Sequence, residues 1–349
     1  MRRIESRQAG GPETLVLAEA PGPTPTGDEV IIDVAVCGIN YPDVLIIQDL
    51  YQVRPPRPFA PGSEVSGVVT AIGPDVGTLR IGDRVMAAMA SGGLAEQVAV
   101  AERFCVRLPD AMPFDDAGAF MMTYGTSFFA LSDRGRLKAG ETLLVLGASG
   151  GVGMAAIQIA RAIGARVVAA ASSQDKMDAA LAAGAETGVV YPTGPLDADA
   201  AKAFGAALKA ALGPGGADVV YDPVGGALAE PALRAIAWRG RYLVVGFAGG
   251  VPRPPLNLAL LKQCDIVGVW WGAHVERESD AHQASMRALF ELYGEGALKP
   301  LISARHTLED APAAIQALAD RKVLGKIIVE IAPHRDAGAH ARNHRSEQE

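Results

Sequence analysis

The sequence predicts an α/β chain of two domains, one β-rich and one built on a doubly wound parallel sheet. Three observations carry that expectation. The chain has 349 residues, too many for one compact core of ordinary size. Its first third alternates short apolar runs with Gly and Pro, whereas from about Asp115 strand and helix patterns follow each other in turn. A glycine-rich turn stands where the first of those later strands meets a helix.

The β-rich part reads as VIIDVAV (30–36), VSGVVTAIG (65–73), DRVMAAM (83–89) and AEQVAVAERFCVRLP (95–109), which suits an antiparallel, barrel-like domain. The texture changes at DDAGAFMMTYGTSFFAL, whose apolar residues fall at helical spacing. There follow ETLLVLG (141–147), a helix from Gly151 to about Ile163, ARVVAAA (165–171), a helix from Gln174 to Ala183, then GVVY (188–191), ADVVYD (217–222), RYLVVGF (241–247) and DIVGVWW (265–271). Strand, helix, strand in repetition is the mark of a doubly wound sheet. Amphipathic helices around Ala284 to Tyr293 and Ala311 to Ala319, with a closing strand GKIIVEI (325–331), return to the first domain. The tail PHRDAGAHARNHRSEQE has no apolar period and reads as disordered, its three histidines as solvated side chains.

Composition narrows the function classes. Hydrophobic residues make up 49% and charged residues 20%, and the formal net charge is −7, which opposes a nucleic-acid surface. No secretory leader or run of about 18 apolar residues is present, so neither secretion nor membrane spanning is expected. The three cysteines, Cys37, Cys105 and Cys264, are scattered and form no CxxC, which points to a reducing cytoplasm.

The strongest chemical signal is LLVLGASGGVGMAAIQIA (143–160). A buried strand runs into Gly147; Gly150, Gly151 and Gly153 then permit a tight turn, close approach of backbone N–H groups to a pyrophosphate, and near contact of helix and strand. Val152, Ala156, Ile159 and Ile163 fall on one helical face, and the helix N-terminus favours negative charge. The next strand distinguishes between dinucleotides. A 2′-hydroxyl is usually held there by Asp or Glu, but this strand ends AAASSQDK, with Ser172 and Ser173 at its tip and Lys176 one turn on. Hydroxyls and an ammonium suit a 2′-phosphate, and Asp175 fits a cap of the following helix. NADPH is therefore expected rather than NADH.

At this point the motifs CGINYPDVL (37–45), PGSEVSGVV (61–69), IGDRVMA (81–87), MTYGTSFFAL (122–131), LGASGGVG (146–153), SSQDK (172–176), VVYDPVGG (219–226), VVGFAGG (244–250) and GKIIVE (325–330) can be taken together. The chain resembles the zinc-independent quinone oxidoreductase, or zeta-crystallin-like, branch of the medium-chain dehydrogenase/reductase superfamily. The resemblance implies a GroES-like catalytic domain (1–121 and 274–332), a Rossmann domain (122–273) and a tail (333–349). It also implies an active site in the cleft and a homodimer paired through Rossmann edge strands, here DIVGVWW with Trp270 and Trp271. Both tryptophans are equally open to a core role.

The zinc-dependent relatives place metal ligands where this chain has Asn40, Ser63 and the neighbourhood of Thr123, none of which replaces a thiolate or an imidazole. Cys37 sits in a strand pattern and suits burial, and Glu64 suits the turn before VSGVV. Alcohol oxidation draws on a Lewis acid, whereas a quinone or an enone is already electron-poor. The expected reaction is hydride transfer from NADPH to such an acceptor. By the resemblance, Asn40, Tyr51 and Thr123 are catalytic candidates, Asn40 and Thr123 as donors facing the nicotinamide and Tyr51 at the substrate mouth, while Asp43 orients the Asn40 turn. Alternatives for them are a turn residue, a loop aromatic and a helix cap, respectively.

Cofactor contacts implied in the same way are Asn40, Thr123, Gly150, Gly151, Val152, Gly153, Ser172, Ser173, Lys176, Tyr191, Val224, Phe247 and Ala248, with Arg321 and Lys326 either near the phosphates or on the surface. Two other readings stay open: an enoyl or alkenal reductase, possibly on acyl-CoA, and a nucleotide-binding crystallin-like protein without catalysis. The acidic charge opposes RNA, and no basic amphipathic helix supports membrane binding.

Overall fold

The computed structural model describes residues 1–194 and 196–331. The chain opens with an antiparallel pair, β1 (Arg2–Glu5) and β2 (Val16–Glu19), and continues into β3 (Glu29–Ile39) and the short helix α1 (Tyr41–Ile46). Strands β4 (Glu64–Ile72), β5 (Arg84–Ala88), β6 (Gln97–Ala101) and β7 (Cys105–Arg107) follow, then α2 (Phe114–Gly118) and α3 (Met121–Phe128), the latter prolonged by a π-helical segment, Phe129–Arg134. Next come β8 (Thr142–Leu146), α4 (Gly151–Ile163), β9 (Arg166–Ala171), α5 (Gln174–Ala182), β10 (Thr187–Val190), α6 (Ala198–Leu212), β11 (Ala217–Asp222), α7 (Ala229–Arg234), β12 (Ile236–Val244), α8 (Asn257–Lys262) and β13 (Asp265–Gly268). The described chain closes with α9 (Trp271–Arg277), α10 (Ser279–Gly294), β14 (Ile302–Thr307), α11 (Ala311–Ala319) and β15 (Lys326–Glu330).

Two compact units result. The first comprises Met1–Gly118, Arg305–Ile315 and the chain from Ile328; the second comprises Ala119–Ala304 and Gln316–Ile327. These divisions differ from the expected ones at 121 and 273. In the second unit α10 packs on α3, with Phe120 of the α3 entry stacked near Phe290 at 6.2 Å and edge-on to Tyr293 at 5.7 Å, so the stretch after 274 stays there until Ala304. The tail expected from residue 333 lies outside the described residues.

The first unit is organised on a sheet in the order β14-β15-β3-β4-β5-β7, with β6 pairing β3, to which β14 and β15 bring their last residues. β3, β4, β5, β6 and β7 pair antiparallel, and alternate residues such as Val30, Ile32 and Val34 are wholly buried. The second unit carries a six-stranded sheet in the order β10-β9-β8-β11-β12-β13, all pairs parallel. Because helices cover both faces, β8 is apolar along its whole length: Leu143, Leu144, Val145 and Leu146 are all completely buried. The order reverses between β8 and β11, which is where such sheets bind ligands at the strand C-termini.

Three expectations need correction. The sequence pattern passed over α6, although Phe204, Leu208 and Leu212, four residues apart, form its buried stripe; its many alanines blur the contrast between faces. β12 begins at Ile236, not at Arg241, and carries an exposed Trp238 and a positive φ of 62° at Arg239. DIVGVWW is not one strand: β13 ends at Gly268, Trp270 is 58% exposed, and Trp271 opens α9 and is buried against Gly125 of α3.

Behind Trp271 lie two buried histidines. His274 stacks on Phe129 at 4.1 Å and its Nδ1 lies 3.1 Å from Glu278 Oε2, while His282 meets the edge of Trp271 at 5.5 Å with neither ring nitrogen hydrogen-bonded. Burial, and secondarily His274, push the His282 imidazole down to about 4. Above its ordinary 6.5 it is neutral in both folded and unfolded chains. Between that value and about 4 only the unfolded chain takes up the proton, so stability falls as the pH falls and levels off below. Urea titrations should lose roughly 3 kcal/mol across this window from His282, and His282→Leu should flatten that slope.

Candidate active site

The second unit builds its site around the turn between β8 and α4. Gly147 has φ +59°, and a side-chain carbon there would stand 2.7 Å from Cγ2 of Val224. A Cβ on Gly153 would strike the carbonyl of Gly147 and lie 2.9 Å from the Ala148 backbone, so only glycine lets the helix come down on the strand. Gly150 is the N-cap and offers no side-chain acceptor, which leaves the first N–H groups of α4, at Gly151, Val152 and Gly153, directed out of the helix N-terminus. Thr123 closes one side: its Cγ2 lies 2.9 Å from where a Cβ of Gly151 would be, and Lys326 Cδ lies 3.0 Å from the same point. Lys326 is only 4% exposed, so it is not a surface residue.

A buried polar chain sets this turn. Ser127 Oγ donates to the carbonyl of Val152 at 2.9 Å and pairs with Tyr221 Oη at 2.9 Å. Next along β11, Asp222 accepts N–H bonds from Val224 (2.8 Å) and Gly225 (2.7 Å) and the hydroxyl proton of Tyr242 (2.6 Å), which fixes the Val224 loop. Burial still pushes the Asp222 carboxyl upward against those three donors. Phe247 and Ala248 follow β12, and Phe247 is exposed.

At the end of β9, Lys176 Nζ donates to Ser172 Oγ (3.3 Å) and to the carbonyl of Arg321 (2.8 Å). Its pKa is lowered, first by burial and then by the Arg321 charge, with no carboxylate acting on it. Ser173 is the N-cap of α5 and accepts the N–H of Lys176 at 3.4 Å; the cap expected of Asp175 therefore falls to Ser173, with Asp175 inside the first turn. Tyr191 packs edge-on to Phe204 at 5.8 Å, and burial raises its phenol while Arg321 lowers it. Ser172 Oγ, Lys176 Nζ and the Arg321 carbonyl thus meet just beyond the end of β9, and the Arg321 charge acts on both Lys176 and Tyr191, the latter also under Asp222.

The first unit holds the other candidates. Asn40 is the N-cap of α1, its N–H donating to Asp43 Oδ2 at 2.7 Å, and Pro42 sits in the first turn where its missing N–H costs nothing. Asn40 Nδ2 donates to the carbonyl of Gly38 (3.2 Å) and to the fully buried Glu64 (3.0 Å). Thr123 Oγ1 in the second unit likewise donates back to Ala119 (3.0 Å) and Phe120 (3.3 Å), from the third position of α3 and not from a cap. The Asn40 amide protons are thus engaged by Gly38 and Glu64, its side chain also accepts the N3 backbone N–H in a capping box, and the Thr123 hydroxyl proton is engaged by the main chain just before α3. The Tyr51 phenol is raised by burial and then by Asp43, so it keeps its proton at neutral pH.

Ser63 is buried, and its Oγ has no hydrogen-bond partner. Cys37 is buried with its sulfur against Gly62 and Gly93. Among the described residues no three of His, Cys, Asp and Glu are grouped as metal ligands. Sequence reasoning missed Ser127, Tyr221 and Asp222 as determinants of the site. Nothing in a one-dimensional pattern marks a buried hydroxyl that meets its partner 94 positions away.

A β-rich domain joined to a doubly wound parallel sheet with a glycine turn at its switch point defines a two-domain, dinucleotide-dependent oxidoreductase architecture. Residues 26–110 match the alcohol dehydrogenase GroES-like domain family and residues 151–289 the zinc-binding dehydrogenase family. The chain is 37% identical over 312 residues to quinone oxidoreductase-like protein 2 of Rattus norvegicus, covering 88% of this chain and 87% of that protein. A probable oxidoreductase from Mycobacterium abscessus is 36% identical with a TM-score of 0.83, covering 95% of this chain and 99% of that one. The Escherichia coli quinone oxidoreductase complexed with NADPH is 28% identical with a TM-score of 0.86, covering 95% and 100%. The chain belongs to the quinone oxidoreductase family of the medium-chain dehydrogenase/reductase superfamily.

The buried Ser127 hydroxyl generates a direct check. Ser127→Ala leaves the Val152 carbonyl and Tyr221 without their shared partner, and thermal or urea unfolding should show a loss of roughly 1–3 kcal/mol.

Proposed function

We propose that the protein is an NADPH-dependent, zinc-independent reductase of quinones. The observation that carries this reading is the pair Ser172 and Lys176 just after β9, a hydroxyl and an ammonium 3.3 Å apart where a carboxylate would repel a 2′-phosphate, with the Arg321 charge nearby. The glycine turn fits the rest of the dinucleotide, since the N–H groups of Gly151, Val152 and Gly153 face a pyrophosphate and the small residues leave room for it. When bound, NADPH supplies the hydride; an electron-poor acceptor needs no metal to take it.

The residues divide the work by what each can still offer. Ser172 and Lys176 hold the 2′-phosphate, Tyr191 and Arg321 flank the adenosine end, and Val224, Phe247 and Ala248 line the path toward the nicotinamide. In the second unit Thr123 presents its hydroxyl oxygen to the carboxamide N–H groups. Glu64 and Asp43 orient Asn40 through the bonds at 3.0 and 2.7 Å. Tyr51, protonated at neutral pH, donates to the developing oxyanion of the acceptor.

Family membership supports a small electrophilic organic substrate. We further place a second copy of the chain along β13, the edge of the six-stranded sheet, because Ile266 (42%) on the strand and Trp270 (58%) just after it leave that edge apolar and exposed. Sedimentation velocity giving a monomer at micromolar concentration would remove that assignment. All three cysteines are buried thiols, in keeping with a reducing compartment such as the cytoplasm. Among the described residues no helix is long and apolar enough to cross a membrane.

Purified protein with NADPH should reduce 1,4-benzoquinone or phenanthrenequinone faster than crotonaldehyde or an enoyl-CoA. The opposite preference would move the reading to the enoyl or alkenal reductases, and activity toward none of them would leave a nucleotide-binding protein without this catalysis. Tyr51→Phe should lower kcat, and an unchanged kcat would strip it of the donor role. Lys176→Ala should weaken NADPH binding about 10- to 100-fold, the size of one charge-assisted contact, and NADH binding by a smaller factor; equal losses for both would overturn the 2′-phosphate assignment.

A further inference from the structure

Arg321 touches both flanks of the dinucleotide site at once. Its carbonyl accepts Lys176 Nζ at 2.8 Å, and its guanidinium donates to the carbonyl of Ala248 at 2.7 Å. Lys176 belongs to α5, just after β9, and Ala248 follows β12; in the parallel sheet those two strands are separated by β8 and β11. The glycine turn leaves the end of β8 and the Val224 loop leaves the end of β11. One side chain with its own carbonyl therefore reaches across the strand ends between which the dinucleotide is proposed to lie.

The segment carrying Arg321 is anchored and strained. Downstream, Gly325 donates its N–H to Ser149 at 2.8 Å and bridges Gly150 in parallel. Gly325 has φ +60°, and a Cβ on it would strike the Leu301 carbonyl, so only glycine fits at this anchor. Upstream, α11 ends with Arg321 N–H on Leu318 (3.0 Å) and Lys322 N–H on Ala317 (3.2 Å), the left-handed helix stop that glycine usually fills. Here an arginine stands in it at φ +58°. A non-glycine residue keeps that conformation where its surroundings hold it, and the two tethers, to Lys176 and to Ala248, are what hold it.

We propose that Arg321 is the latch of a strap over the dinucleotide groove, closed on bound cofactor and opened for its exchange. This rests on the NADPH reading above and adds to it a residue that governs retention. Lys176 links the two functions, because its ammonium has protons for Ser172, for the strap carbonyl and for a phosphate together. Cofactor leaves when the guanidinium lets go of Ala248 and residues 321–324 swing away from the groove about the Gly325 anchor.

The test is nucleotide dissociation by stopped flow, following NADPH or NADH fluorescence on displacement with excess NADP⁺ or NAD⁺. Arg321→Ala removes the tether and retains the strain; Arg321→Gly removes the tether and relieves the strain while keeping the carbonyl for Lys176. Both should release NADPH and NADH about tenfold faster, a loss of one charge-assisted contact, with Arg321→Ala the faster of the two. Lys322→Ala, whose ammonium pairs with Asp320 at 2.9 Å, should release both nucleotides at the wild-type rate. Hydrogen exchange should show residues 321–324 protected by bound nucleotide in the wild type and less so in both Arg321 variants. Unchanged dissociation in the Arg321 variants overturns the latch. Acceleration confined to NADPH overturns it too, because that outcome describes a phosphate contact and not a strap. A wild-type protein that binds neither nucleotide in a fluorescence titration removes the NADPH reading and the latch together, which separates that failure from failure of the latch alone.

Discussion

Gly153 has no room for a side chain, and the rest of the site depends on that contact. A Cβ there would strike the Gly147 carbonyl, so α4 can sit directly on the turn after β8 only with hydrogen at this position. The same close approach brings Gly151 between Thr123 and Lys326 and sets Gly147 against Val224. Every other site element of the second unit is placed relative to this turn. The C-terminal ends of β8 and β11 open on one side because the strand order reverses there, and the helix N-terminus points its N–H groups into the opening.

A turn with so many glycines has high conformational freedom when unfolded, and buried polar contacts offset that cost. Ser127 holds the first turn of α4 through the Val152 carbonyl, and Tyr221 steadies Ser127 from β11. Asp222, next along β11, gathers Val224, Gly225 and Tyr242. Adjacent residues of one strand, facing opposite sides of the sheet, thus fix the glycine turn and the Val224 loop. Each such bond contributes on the order of 1 kcal/mol net, but leaving a partner buried and unmet costs more, so the network behaves as a unit.

Hydrogen-bond direction changes what the candidate residues can do. Asn40 and Thr123 look in sequence like donors. Their protons are already taken by Glu64, Gly38 and the main chain just before α3, and the Asn40 side chain is also engaged in the capping box. Tyr51 is the phenol that burial keeps protonated.

The doubly wound parallel sheet and the position of the glycine turn were legible in the residues, because period and glycine spacing are local properties, whereas Asn40 and Ser63 were read as standing at ligand positions through the family resemblance. Lys176 was legible for the same reason: it stands four residues past Ser172, and one helical turn brings them together. The sequence by itself determined the fold class, the dinucleotide turn and the absence of thiolate and imidazole at the expected ligand positions. Tertiary structure alone decided that Trp271 is core and Trp270 is exposed, and that Arg321 joins Lys176 to Ala248. Such facts rest on which atoms from distant segments meet, and on which direction a proton is given, and neither is encoded in any short window of the chain.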